Sequence, residues 1–92
     1  MKLLTDVEIA AHLGALPGWE RRENSIVATI SRADFRDALL YLGAVAYLAE
    51  AANHHPDVAI AWNKVTLTLS THSAGGLTGA DFALATKISQ LA

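Results

Sequence analysis

The spacing of apolar residues along this chain switches repeatedly between the helical and the extended period, and the switches divide it into seven elements. Thr5-Asp6-Val7-Glu8 has capping-box spacing, in which the Thr5 hydroxyl and the Glu8 carboxylate satisfy free amides at a helix start. Leu4 and Ile9 stand where a hydrophobic staple would pack, and Gly14 is placed to end this short helix in a left-handed conformation before a turn at Pro17-Gly18. Residues 19–22 and 25–30 flank Glu23-Asn24 as a β-hairpin, with Ile26, Ala28 and Ile30 on one face.

Ser31-Arg32-Ala33-Asp34 is a second start of the capping-box kind, and the proline-free run to about Asn53 is rich in helix formers. Phe35, Ala38, Leu39, Leu42, Val45, Ala46 and Ala49 form one apolar stripe on this long helix. Leu40, Tyr41, Ala44, Tyr47, Leu48 and Ala51 form another. A sheet can cover only one of these faces, so the second stripe is expected to pack on another helix or another subunit. Pro56 stops the helix near His54, because it disfavours helical geometry at His55 and has no amide hydrogen to donate.

Val58, Ile60 and Trp62 then alternate with alanines and, after a tight turn at Asn63-Lys64, Val65, Leu67 and Leu69 alternate with polar residues. This predicts a second hairpin with Trp62 on its core face. Thr78-Gly79-Ala80-Asp81 is a third capping box, opening a final helix that carries Phe82, Ala85 and Ile88 on one side. The order α-β-β-α-β-β-α predicts an α+β fold: a four-stranded antiparallel sheet with helices packed on one face. Residues 1–92 form a single domain without repeats or linkers.

Hydrophobic residues make up 52% of the chain, more apolar surface than a monomer of this size easily hides, so self-association is expected. Seven basic against nine acidic residues leave no electrostatic footprint for direct nucleic-acid binding. Cysteine is absent, which removes disulfides, thiolate nucleophiles and zinc-thiolate sites and suits a reducing cytoplasm, the expected location. Residues 1–4 do not read as a signal peptide, and the apolar stretch 39–52 is too short to span a membrane and carries Glu50.

Three of the four histidines fall between positions 54 and 72, and imidazole titrates close to neutral pH. Glu50 and His54 are four apart, so the carboxylate can orient the ring, whereas His55 lies in the first non-helical position. Adjacent imidazoles in different surroundings can supply an acid and a base to one pocket. The plainer account is that both rings merely finish a helix, where the dipole favours cations. A zinc site is a third possibility, weakened because histidines on either side of a helix end do not converge as an i, i+4 pair does. Gly75-Gly76 before a capped helix could offer amides to an anionic or carbonyl-bearing ligand, though such a pair is more often a flexible connection. Trp19 could stack on a flat heterocycle, although a lone tryptophan at a strand start is more often core, and His12 has no chemical company.

Glu50, Asn53-His54-His55-Pro56, Trp62-Asn63-Lys64-Val65, Leu69-Ser70-Thr71-His72, Gly75-Gly76-Leu77-Thr78 and Asp81, together with Gly18-Trp19 and Phe35, strongly resemble the pterin-4a-carbinolamine dehydratase family over nearly the whole chain. The resemblance implies dehydration of 4a-hydroxytetrahydrobiopterin to the quinonoid dihydropterin in tetrahydropterin recycling, with no metal or organic cofactor. It implies that His54 and His72 are the principal acid and base, that His55 positions or protonates the substrate, and that Glu50 supports His54. Asn53, Ser70, Thr71, Asp81 and Trp19 match positions at or near the pterin. It also implies a homodimer or homotetramer, and a competing class of function, since some members stabilise a transcription-factor dimer or assist assembly of another enzyme. Two positions depart from the common pattern, Asn53 where many relatives carry Asp and Trp62 where many carry Tyr.

Overall fold

The computed structural model describes residues 2–91. The first helix, α1 (Asp6–Leu13), begins with the expected reciprocal cap: the Glu8 amide donates to Thr5 Oγ1 at 3.2 Å and the Thr5 amide to Glu8 Oε1 at 2.9 Å. Its end differs from expectation. Gly14 is right-handed, at φ −59°, and its amide returns to the Ala10 carbonyl. The left-handed residue is Gly18, at φ +89°, where the chain turns into the sheet.

Strands β1 (Trp19–Arg22), β2 (Ser25–Ser31), β3 (Asp57–Ala61) and β4 (Lys64–Leu69) form one antiparallel sheet in the order β1-β2-β4-β3. The long-range pairing of β2 with β4 sets Ile26 opposite Leu69, Ala28 opposite Leu67 and Ile30 opposite Val65. Because side chains alternate across a strand, this register puts all six on one face. Ile26, Val65, Leu67 and Leu69 are wholly buried there, against Val45 and Ala49 and against Phe82, Leu84, Ala85 and Ile88. Burying each large aliphatic side chain contributes about 1.5–3 kcal/mol. The opposite face is mixed, with Val27 buried on it, and Thr29 and Thr66 share a hydroxyl contact of 3.3 Å across β2 and β4.

Helix α2 (Phe35–Ala52) starts later than the sequence suggested, because Ser31 still belongs to β2. Asp34 is the cap: its carboxylate accepts the Asp37 amide at 2.8 Å, while Asp37 reaches back to the Ala33 amide at 3.0 Å. The buried stripe takes Ala38, Val45 and Ala49 from one expected row and Tyr41 from the other. Leu40 and Tyr47, seven apart and therefore on one side, remain 69% and 76% exposed. Within the chain, that side of the second row packs on neither helix nor sheet.

The second hairpin turns at Trp62-Asn63, one residue earlier than expected, with Ala61 paired to Lys64. Trp62 therefore leaves the alternation, adopts φ +53° and stands 69% exposed, so it is not a core residue. Asn63 fixes this turn by donating from Nδ2 to the Arg32 carbonyl, and it accepts the Arg32 amide in return. The last helix, α3 (Gly79–Ser89), opens with the expected Thr78–Asp81 capping box.

Candidate functional site

The histidine pair is set by a backbone reversal at Asn53. This residue occupies the left-handed region at φ 49°, ψ 43°, and the His54 amide donates back to the Ala49 carbonyl at 3.1 Å. That 6→1 bond, beside the Asn53 amide on Ala49 and Glu50, is a Schellman-type stop. The helix thus ends before Pro56 can act, and asparagine is one of the few residues that accept this geometry cheaply.

After the reversal, helical spacing no longer decides which groups meet. Glu50 pairs with His55 Nε2, not with His54, and this pair is mostly exposed. His54 turns inward, where its Nε2 lies 2.5 Å from Asp81 Oδ1 at the first turn of α3. The two adjacent rings therefore face different carboxylates in different surroundings, His54 in a part-buried pair and His55 in an exposed one.

Asp81 is wholly buried, Thr71 and Thr78 are buried beside it, and His54 is partly exposed. Asp81 Oδ2 accepts the Thr71 hydroxyl at 2.8 Å and the Thr78 amide at 2.9 Å, and the two threonine hydroxyls lie 2.9 Å apart. The cap that starts α3 is thereby also the support of His54. Thr78 belongs to this arrangement although its sequence context showed only a capping box. The available signal was that a cap aspartate has two oxygens and the cap amide needs only one.

His72 begins a single 3₁₀ turn (His72–Ala74) directly after Thr71 and is exposed. The turn is closed by Thr71 and Gly76, whose amides exchange bonds with each other's carbonyls at 2.9 and 3.3 Å. Gly75, at φ +77°, donates to the Thr71 and His72 carbonyls. The glycine amides are thus spent inside the turn, and they do not form the ligand cradle that Gly75-Gly76 suggested. Ser70 donates its hydroxyl to the Asn24 carbonyl at 2.8 Å, which ties the site's strand to the first hairpin.

Trp19 lies elsewhere. Its ring is buried, and Nε1 donates to Ser89 Oγ at 3.1 Å, at the far end of α3 from Asp81. Eight residues of helix at 1.5 Å each put roughly 12 Å between those two ends. Trp19 borders a separate cavity of about 220 Å³ with Arg32, Tyr41 and Ser89. A larger cavity of about 320 Å³ runs between α2 and the edge strand β3, where Leu42, Ala46 and Val58 meet Glu50, His55 and Pro56. His12, unassigned in sequence, stacks on Phe82 with ring centroids 4.8 Å apart, beside the Asp81 position. No group of three or more His, Asp or Glu side chains among the described residues is placed to hold a metal ion, and no helix among them is long and apolar enough to cross a membrane.

The sequence profile of the family described as Pterin 4 alpha carbinolamine dehydratase matches residues 2–91. A protein of Roseiflexus castenholzii that carries the provisional name pterin-4-alpha-carbinolamine dehydratase is 54% identical over 97% of this chain and 96% of its own length. One of the same name from Nocardia farcinica is 50% identical over 99% of this chain and 96% of its own. Among solved structures, a transcriptional coactivator/pterin dehydratase from Brucella melitensis superposes with a TM-score of 0.90 at 35% identity, covering 95% of each chain. A pterin dehydratase-like protein described as a RuBisCO assembly factor in the alpha-carboxysome shares the fold at a TM-score of 0.62 and 19% identity, over 77% of this chain and 82% of that one. With the fold, the histidine pair and the buried aspartate all in place, these matches put the chain in the pterin-4a-carbinolamine dehydratase family.

Proposed function

We propose that this protein catalyses dehydration of a 4a-hydroxytetrahydropterin to the quinonoid dihydropterin in tetrahydropterin recycling. The observation that carries the proposal is the division of the histidine pair, with His54 on buried Asp81 and His55 on exposed Glu50. The reaction breaks the C4a–O bond, and the hydroxyl leaves as water after taking a proton from an acid. A base removes the N5 proton, and the N–H electron pair becomes the C4a=N5 bond. Positioned imidazoles suit both transfers at neutral pH. His54 and His72 are the acid/base pair, and His55 positions the substrate. Thr71 and Asp81 act through His54, Asn53 orients the pair, and Glu50 steadies His55. Ser70 and Trp19 complete the assignment, Ser70 through its strand and Trp19 as a more distant element. Neither a metal nor an organic cofactor enters this scheme. The protein works in the cytoplasm as a homodimer or homotetramer assembled through the uncovered side of α2.

That uncovered side also favours a second reading, in which the protein binds or assembles another protein, because Leu40 and Tyr47 offer apolar surface that the fold does not use. A coupled assay decides between the two. A pterin-dependent hydroxylase generates the 4a-hydroxypterin, and its decay is followed with and without the protein. Acceleration supports the dehydratase, whereas no acceleration together with tight protein binding supports the second reading.

A further inference from the structure

The two oxygens of Asp81 serve different partners, and the difference fixes the hydrogen on His54. Thr71 has one hydroxyl proton and gives it to Asp81 Oδ2 at 2.8 Å. The two threonine hydroxyls lie 2.9 Å apart beside it. Thr78 Oγ1 in turn accepts the Ala80 amide at 3.3 Å, and the Thr78 amide donates to Asp81 Oδ2 at 2.9 Å. The Thr71 hydroxyl and the Thr78 amide both point toward the carboxylate. Oδ2 is occupied by two donors, so Oδ1 is left as the acceptor that meets His54 Nε2 at 2.5 Å.

An acceptor at Oδ1 requires the hydrogen on Nε2, and a neutral imidazole protonated at Nε2 has its lone pair on Nδ1. Nδ1 of His54 has no hydrogen-bond partner among the described residues. The one sealed, unpartnered side-chain polar atom among the described residues is Asn63 Oδ1, so His54 Nδ1 is open to a ligand. We infer that Asp81, held by the Thr71 hydroxyl and the Thr78 amide, keeps His54 as its Nε2–H tautomer, and that Nδ1 is the atom through which His54 exchanges protons with the substrate. The catalytic half of this inference rests on the dehydratase reading, and the tautomer stands on geometry alone. Acting as base, Nδ1 takes the N5 proton and the ring becomes a cation against Asp81; loss of that proton from Nδ1 to solvent restores the starting tautomer.

Long-range ¹H–¹⁵N correlation spectra of the uniformly ¹⁵N-labelled protein test this without substrate. In the wild type the neutral His54 ring shows the Nε2–H pattern. Asp81→Asn should invert it: the donors of Thr71 and Thr78 retain the amide oxygen, which turns the amide NH₂ toward Nε2 and moves the ring hydrogen to Nδ1. The same variant should slow dehydration by about 10²-fold or more, since correct protonation of an acid/base group is worth about 10²–10⁴. A wild-type His54 in the Nδ1–H form, or averaging between tautomers, overturns the inference with no variant needed, and so does an unchanged tautomer in Asp81→Asn. If the spectra behave as expected but the wild type accelerates no dehydration, the dehydratase reading fails and the tautomer assignment survives.

Discussion

The His54 amide donates to the Ala49 carbonyl across the left-handed Asn53, and this single bond sends two sequence neighbours to opposite carboxylates. The geometry requires a residue that tolerates φ 49°. Asn53→Val forces a β-branched side chain into that region, at about 1–2 kcal/mol, and loosens the angle at which His54 approaches Asp81. Asn53→Gly keeps the turn and should stay within about 0.5 kcal/mol of wild type. Urea midpoints of the two variants check this, and equal losses from both would mean that the Asn53 side chain, not its backbone angle, ends the helix.

The split between the histidines predicts unequal rates. His54→Ala removes the ring that Asp81 supports and should slow dehydration by about 10²–10⁴. His72→Ala is expected in the same range. His55→Ala and Glu50→Gln disturb an exposed pair, so their effect should fall mainly on KM, with kcat changed by less than about tenfold. Steady-state rates for the four variants measure the difference, and unchanged rates in all three histidine variants would sink the site assignment.

Element types and order were legible because alternation in Val65, Leu67 and Leu69 and the caps at Thr5 and Thr78 are local signals. The pairing of side chains was less so. Helical spacing linked Glu50 to His54, but that rule holds only while the helix continues, and the left-handed turn at Asn53 ends it first. Asp81 is 27 residues from His54, and no local rule joins them; the packing of α3 beside α2 does. The resemblance placed Asp81 and Thr71 at or near the pterin and said nothing of a bond to a histidine; the contact of Asp81 with His54 came from the fold alone.

The start of α2 carries a pH dependence whose sign is fixed. Asp37 accepts the Ala33 amide and sits beside the Arg32 guanidinium, and both hold its carboxyl below the ordinary aspartate value of 3.8. A group depressed in the folded state contributes stability that is present above its unfolded pKa and lost as pH falls through the folded one. Asp37→Asn should therefore melt below wild type at neutral pH, and the gap should narrow as pH drops below about 4. Thermal melts across that window check it; a gap that does not change with pH would assign Asp37 a role independent of its charge.

Trp62 provides the sharpest test of the register. Extending the strand alternation by one residue would bury it beside Val58 and Ile60, and truncating a core tryptophan costs about 3–5 kcal/mol. The observed turn leaves it exposed at φ +53°, where any side chain is strained and glycine is not. Trp62→Gly then gains from the relieved strain roughly what it loses to the greater freedom of the unfolded chain, about 1 kcal/mol on each side. Its stability should match wild type within about 0.5 kcal/mol, whereas Leu67→Ala, one hairpin arm away and wholly buried, should lose about 2–5 kcal/mol. Equilibrium unfolding of both variants separates the alternatives, because a large loss in Trp62→Gly is possible only if β3 runs one residue further and the tryptophan points into the core.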